Sequence, residues 1–129
     1  MLSVNKFALF AAALLAGLCV PADRAAAQQV RILVQSSPLA GFNHHQAAEV
    51  WQGMRIGDAL SLEREPDNVH DARAISVQWR GHKLGYVPRT QNAALAWAMD
   101  RGESLDARVS RLRPHRNPRK RIEFEVYVE

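Results

Sequence analysis

A small, mainly β domain that closes into a partial barrel is the fold class this sequence predicts. Short runs with apolar and polar residues alternating recur along the chain, which is the signature of half-buried strands. One stretch alone, 91–101, has the composition of a convincing helix. With a single crossover helix, a parallel βαβ architecture is excluded, and five or six short strands fit a small barrel instead.

The N-terminal stretch stands apart from that pattern. Lys6 precedes a 12-residue apolar run, Phe7 to Leu18, and Ala25-Ala26-Ala27 forms a small-residue site before Gln28. This order predicts a secretory signal peptide over 1–27, too short to span a bilayer. Cys19 follows Leu18, where a lipoprotein signal needs a small residue, so it belongs to the apolar run. The expected mature domain is 28–129, exported to the periplasm or secreted, without stable membrane association after cleavage. It contains no cysteine, so its core must suffice without disulfides.

Val30-Arg31-Ile32-Leu33-Val34 reads as the first strand, ended by Ser36-Ser37-Pro38 because proline cannot donate to a ladder. Gly41 to His45 is a loop. Ala47 to Trp51 is a short helical turn or the lead into a strand, hemmed by Gly53 and Gly57. After the turn at Gly57-Asp58, Ala59 to Arg64 sets Leu60 and Leu62 on one face. Ala74 to Trp79 and Lys83 to Val87 form a hairpin across Arg80-Gly81-His82. Thr90 is placed to cap the helix over Gln91 to Arg101, and Gly102 to end it. Ser104 to Leu112 alternates, with Leu105, Ala107, Val109 and Arg111 on one side. Ile122, Phe124, Val126 and Val128 mark the clearest half-buried strand, whose outward acids can pair with Arg108 or Arg111.

Three stretches carry candidate chemistry. The polar turn between two strands, Pro66 to Asp71, holds Asp67, Asn68, His70 and Asp71. By composition it is ordinary turn chemistry, with Asx side chains bonding the backbone. Yet a histidine ring can stack on a base, and the adjacent carboxylate can accept from a hydroxyl. Arg64 can reach phosphate or pair with Glu63 or Glu65. In His44-His45, adjacent residues of a strand would face opposite sides, so at most one should face a given site. With His70 and Asp71, His44 also makes up an alternative zinc-ligand set, since water can supply a fourth ligand; no H-x-E, H-E-x-x-H or cysteine pair supports it. The third stretch is basic. The mature chain has 15 basic and 12 acidic residues, and Arg108 to Arg121 holds seven of the former and no acid. Such a run is a solvated hairpin or a contact for an anionic partner. There is no G-x-S-x-G, no phosphate-binding lysine loop and no mature-chain cysteine nucleophile, so the reading is a binding module and not an enzyme.

Gly41-Phe42-Asn43-His44-His45, Gly57-Asp58-Ala59-Leu60, Arg64 through Ile75 and Lys83-Leu84-Gly85-Tyr86-Val87-Pro88-Arg89, in this order and spacing, resemble the HIRAN domain across most of 30–112. The resemblance implies an OB-like six-stranded β-barrel with one or two short helices. It also implies a pocket for the 3′ end of single-stranded DNA, as in fork-remodelling helicases. Carried over, the stacking aromatics fall on His44 and His70, where DNA-binding members have tyrosines. The hydroxyl-accepting aspartate falls on Asp71, with Asn68 beside it. Tyr86 and Arg89 take the places of a histidine and a lysine, and Asn43 that of an arginine. The implied partner is single-stranded DNA or another anionic ligand, with no cofactor. The smaller histidine rings and the export signal keep a second reading open, an envelope adaptor that binds a protein or a glycan.

Overall fold

The computed structural model describes residues 30–128; the expected signal peptide, 1–27, lies outside them. Six strands form one antiparallel sheet in the order β1-β6-β5-β2-β3-β4. They are β1 (Ile32–Pro38), β2 (Ala59–Glu65), β3 (Ala74–Trp79), β4 (His82–Tyr86), β5 (Leu105–Leu112) and β6 (Ile122–Val128). Two short helices, α1 (Ala47–Val50) and α2 (Ala93–Asp100), complete the expected inventory.

The sheet bends because β2 is shared between its two halves. Ala59 and Leu60 pair with Arg108 and Ala107 of β5. Ser61 to Glu65 then pair with β3. Beyond the end of β1, Ala40 meets Tyr86 at the end of β4 in an isolated antiparallel bridge. Both of its backbone bonds are 2.9 Å long. That bridge brings the first strand's exit against the last strand of the sheet and makes the barrel partly closed. It is possible because position 85 has no side chain: a Cβ there would lie 2.1 Å from the Ala40 carbonyl oxygen.

The core lies inside this curve. Ile122, Phe124 and Val126 of β6, Ile75 and Val77 of β3, and Leu84 of β4 are fully buried, and Leu39, Phe42 and Leu95 join them. β3 is buried on both faces, Ser76 included, so its apparent alternation does not separate core from solvent. The β3–β4 hairpin turns through Arg80 and Gly81, both at positive φ (47° and 82°), the pairing a two-residue type I′ loop demands.

Three expectations are corrected. β1 does not stop before Ser36. It runs through Pro38, which pairs with Glu123, and proline is tolerated because β1 is an edge strand. The apolar residues Ile32, Leu33 and Val34 are exposed, whereas Ser37 is buried, accepting from Gln35 and donating to Gln91 Oε1 at 3.0 Å. Thr90 does not cap α2: it lies in a 3₁₀ turn, Arg89–Gln91, and Asn92 occupies the cap position. The helix does end at Gly102 as expected, with Gly102 and Glu103 N–H donating to the Met99 and Ala98 carbonyls in a Schellman arrangement. Finally, the β5–β6 register shifts between Val109 and Arg111. Leu112 therefore takes the inward position opposite Ile122, and Arg111 leaves the side of Leu105, Ala107 and Val109; its ion pair with Glu123 at 3.2 Å is the cross-strand pairing the outward acids led one to expect.

Gly85→Ala should force the Ala40 carbonyl away and break the closing bridge. A loss of roughly 1–3 kcal/mol in urea denaturation is expected, the usual range for overpacking, together with lost amide protection at Ala40 and Tyr86.

Candidate nucleic-acid interface

The closing bridge sets the floor of an open cavity of ≈ 540 Å³. Gly41, at φ 80°, starts a 3₁₀ turn over Phe42–His44 that carries both histidines to one rim. The β2–β3 connection, from Asn68 to Asp71, forms the opposite wall, and Tyr86 and Arg89 follow from the end of β4. His44, His70, Asp71, Tyr86 and Arg89 thus line one cavity, with Asn68 among them. A second cavity of ≈ 550 Å³ lies beyond the same loop, with Asp71, Arg73, Arg89 and Asn92 in its wall.

The loop is held by its own side chains. Asn68 Oδ1 accepts from the N–H groups of His70 (2.9 Å) and Asp71 (3.2 Å). Asn68 Nδ2 donates to Glu65 Oε1 at 3.0 Å. Its amide is therefore spent on shaping the turn, and Asn68 positions its neighbours. Asp71 Oδ1 accepts from Arg73 N–H at 2.9 Å, and Oδ2 from Asn92 Nδ2 at 2.7 Å. The Arg73 bond is the main reason the Asp71 carboxyl sits below its ordinary value; desolvation opposes it, and Asn92 and the Arg89 charge add to it. An ionised carboxylate has about four lone-pair sites, so two remain for a ligand donor. The His70 carbonyl accepts from Arg89 at 2.8 Å, which ties the loop to the 3₁₀ turn after β4 and leaves the exposed His70 ring at the rim.

Sequence reasoning missed the polar cluster behind the histidines. Lys83 Nζ bonds Glu65 Oε2 at 2.8 Å and Tyr86 Oη at 2.6 Å. Tyr86 Oη donates to Glu65 Oε1 at 2.8 Å. Burial alone would raise the Glu65 carboxyl, but the bonds from Lys83, Asn68 and Tyr86 outweigh it and hold it below its usual value. Lys83 is likewise raised despite burial, by Glu65 and Tyr86. The Tyr86 hydroxyl is thus occupied, and its ring packs edge-to-face with that of His45, their centroids 5.3 Å apart. Both histidines line the cavity, against the expectation that only one would. Strand alternation does not apply, because His44 ends a 3₁₀ turn and His45 directly follows it. Burial, then the charges of Lys83 and His44, push the His45 imidazole below its ordinary value.

Arg64 contacts neither Glu63 nor Glu65. Its guanidinium forks onto Asp100 of α2 at 2.9 and 3.1 Å and donates to the Ala74 carbonyl at 2.9 Å, pinning the helix to the sheet. Among the described residues no three His, Cys, Asp or Glu side chains converge closely enough to hold a metal ion, so His44, His70 and Asp71 are not gathered as a zinc-ligand set. No described helix is long and apolar enough to cross a membrane.

The HIRAN domain family model matches residues 32–129. The chain belongs to the HIRAN family. The solved structure of a protein from Lactobacillus plantarum is similar, with 29% identity and a TM-score of 0.67, over 77% of this chain and 95% of that one. The HIRAN domain of human HLTF shares the fold at 19% identity and a TM-score of 0.54, over 78% of each chain. No curated protein matches the chain. The HIRAN domain described here therefore keeps the OB-like barrel that the resemblance implied, while histidines stand at its rim.

Glu65→Gln should cost roughly 1 kcal/mol at neutral pH, as expected for removing a half-buried ion pair. Because the Glu65 carboxyl is depressed in the fold, its contribution is present above the ordinary carboxylate range and lost as pH falls through the depressed value. The wild type should thus lose more stability on acidification than the variant. Denaturation curves at neutral and acidic pH check this.

Proposed function

We propose that this HIRAN domain is a non-catalytic module that binds the 3′ ends of single-stranded nucleic acid. Family membership supports nucleic-acid binding in general. The observation that carries the finer reading is the single cavity that sets an ionised, pre-oriented Asp71 beside ring-bearing side chains and Arg89.

In this reading the terminal base enters between His44 and His70. Stacking on an aromatic face is tolerant of base identity and contributes about 1–3 kcal/mol per base, less for an imidazole than for a larger ring. The terminal sugar hydroxyl donates to a remaining lone pair of Asp71, whose two protein bonds hold it against rotation. Arg89 has spent one N–H on the His70 carbonyl and keeps others for a phosphate oxygen. Asn68 acts through the loop. A 3′-phosphate would set negative charge against Asp71 and be rejected. Residues 1–27 add an expectation of export, which would make the ligand DNA found outside the cytoplasm.

Fluorescence anisotropy with labelled oligonucleotides tests this. Wild-type protein should prefer a 3′-hydroxyl to a 3′-phosphate end, and Asp71→Ala should abolish the preference while leaving weak, salt-sensitive binding. The logarithm of the affinity should fall linearly with log salt, with a slope of about 0.7 for each phosphate neutralised on a single strand. A variant that still discriminates the two ends would refute the role of Asp71, and a flat salt response would refute a phosphate-bearing ligand.

A further inference from the structure

The cavity beside the closing bridge does not end at Arg89. A third cavity, of ≈ 350 Å³, shares Ala40 and Arg89 with it and has Arg119 in its wall as well. Arg89 thus borders all three cavities around the site. The remaining wall comes from Pro38 to Ala40, at the exit of β1, and from Pro88 to Gln91. No carboxylate lines it.

Arg119 is held in place by a structured loop. Asn117 caps the 3₁₀ turn Pro118–Lys120, its side chain accepting from Arg119 N–H at 3.0 Å. Arg121 Nε ties the loop back to the His115 carbonyl at 2.8 Å. Opposite, Gln91 is braced against β1: its carbonyl accepts from Gln35 at 2.9 Å and its side chain from Ser37 at 3.0 Å. Arg64 and Arg111 are matched with acids, Asp100 and Glu123. Among the described residues no acid pairs with Arg119. Two arginines thus line one acid-free hollow whose walls are braced by hydrogen bonds, a setting whose chemistry suits a phosphodiester group.

We propose that this hollow is the exit path of the bound strand: the terminal nucleotide sits by Asp71, and the preceding backbone passes Arg89 and is gripped by Arg119. The inference rests on the end-binding reading above and extends it to a footprint of several nucleotides. It gives the basic β5–β6 connection a specific task, with Arg119 as its contact and not the whole run.

Anisotropy with a thymidine dinucleotide and a thymidine decanucleotide, both with 3′-hydroxyl ends, decides it. Wild type should bind the longer strand several-fold more tightly. Arg119→Ala, an exposed change, should remove that advantage, leave dinucleotide affinity unchanged, and flatten the salt slope for the longer strand by about 0.7; Arg119→Lys should restore part of it. Arg108→Ala, on β5 outside the hollow, controls for bulk charge. Unchanged decanucleotide binding by Arg119→Ala, an equal loss in Arg108→Ala, or a wild type indifferent to length would each overturn the exit path alone. A wild type that binds neither length would overturn the end-binding reading and this one with it.

Discussion

The close approach of two backbones at Gly85 and Ala40 is the constraint on which the rest of this domain depends. Any side chain at position 85 would occupy the space of the Ala40 carbonyl. With glycine there, the exit of β1 docks on the end of β4 through two backbone bonds. Two of the segments that line the candidate site depart from this junction. The chain leaves Ala40 through Gly41 into the turn that presents His44 and His45. It leaves Tyr86 through Val87 and Pro88 into the turn that presents Arg89. The Val87 N–H bonds the Ile75 carbonyl at 3.0 Å, which fastens the same junction to the strand that follows Asp71.

Around that junction the polar groups are spent economically, in the sense that few are left to move. Asn68, Glu65, Lys83 and Tyr86 bond one another, and Asn92, buried at the start of α2, reaches across to Asp71. Among the described residues no buried side-chain polar atom lacks a partner. Such a network fixes rotamers before a ligand arrives, which lowers the entropy cost of binding. Asp71 benefits most: its acceptors are aimed by an N–H and an amide, and its charge is maintained by the same bonds.

Charge is partitioned with equal clarity. Arg64, Lys83, Arg101 and Arg111 serve the fold, each with an acid in reach. Arg89 bonds the His70 carbonyl and lends its charge to Asp71, and Arg119 lines a hollow without acids. The mild net excess of the sequence is therefore less informative than where its neutralising acids sit.

The residues by themselves determined the six strands, the hairpin at Arg80-Gly81, the Gly102 helix stop and membership in an OB-like family, because these depend on local periodicity, positive φ and contiguous motifs. They also marked His44, Asn68, His70, Asp71, Tyr86 and Arg89, which the fold does bring to one cavity. Tertiary structure alone decided what each side chain is free to do. The bulge after Val109 turned Arg111 outward, a 3₁₀ turn placed His45 beside His44, and the edge position of β1 left its apolar residues exposed while Ser37 was buried. Asn68 bonds within its own turn, as Asx chemistry leads one to expect, but the Glu65 carboxylate that commits Tyr86, and the loop that brings Arg119 to the hollow beside Arg89, are distant in sequence. No periodicity encodes such meetings, because they arise only when the closed barrel brings β1 and β4 into contact.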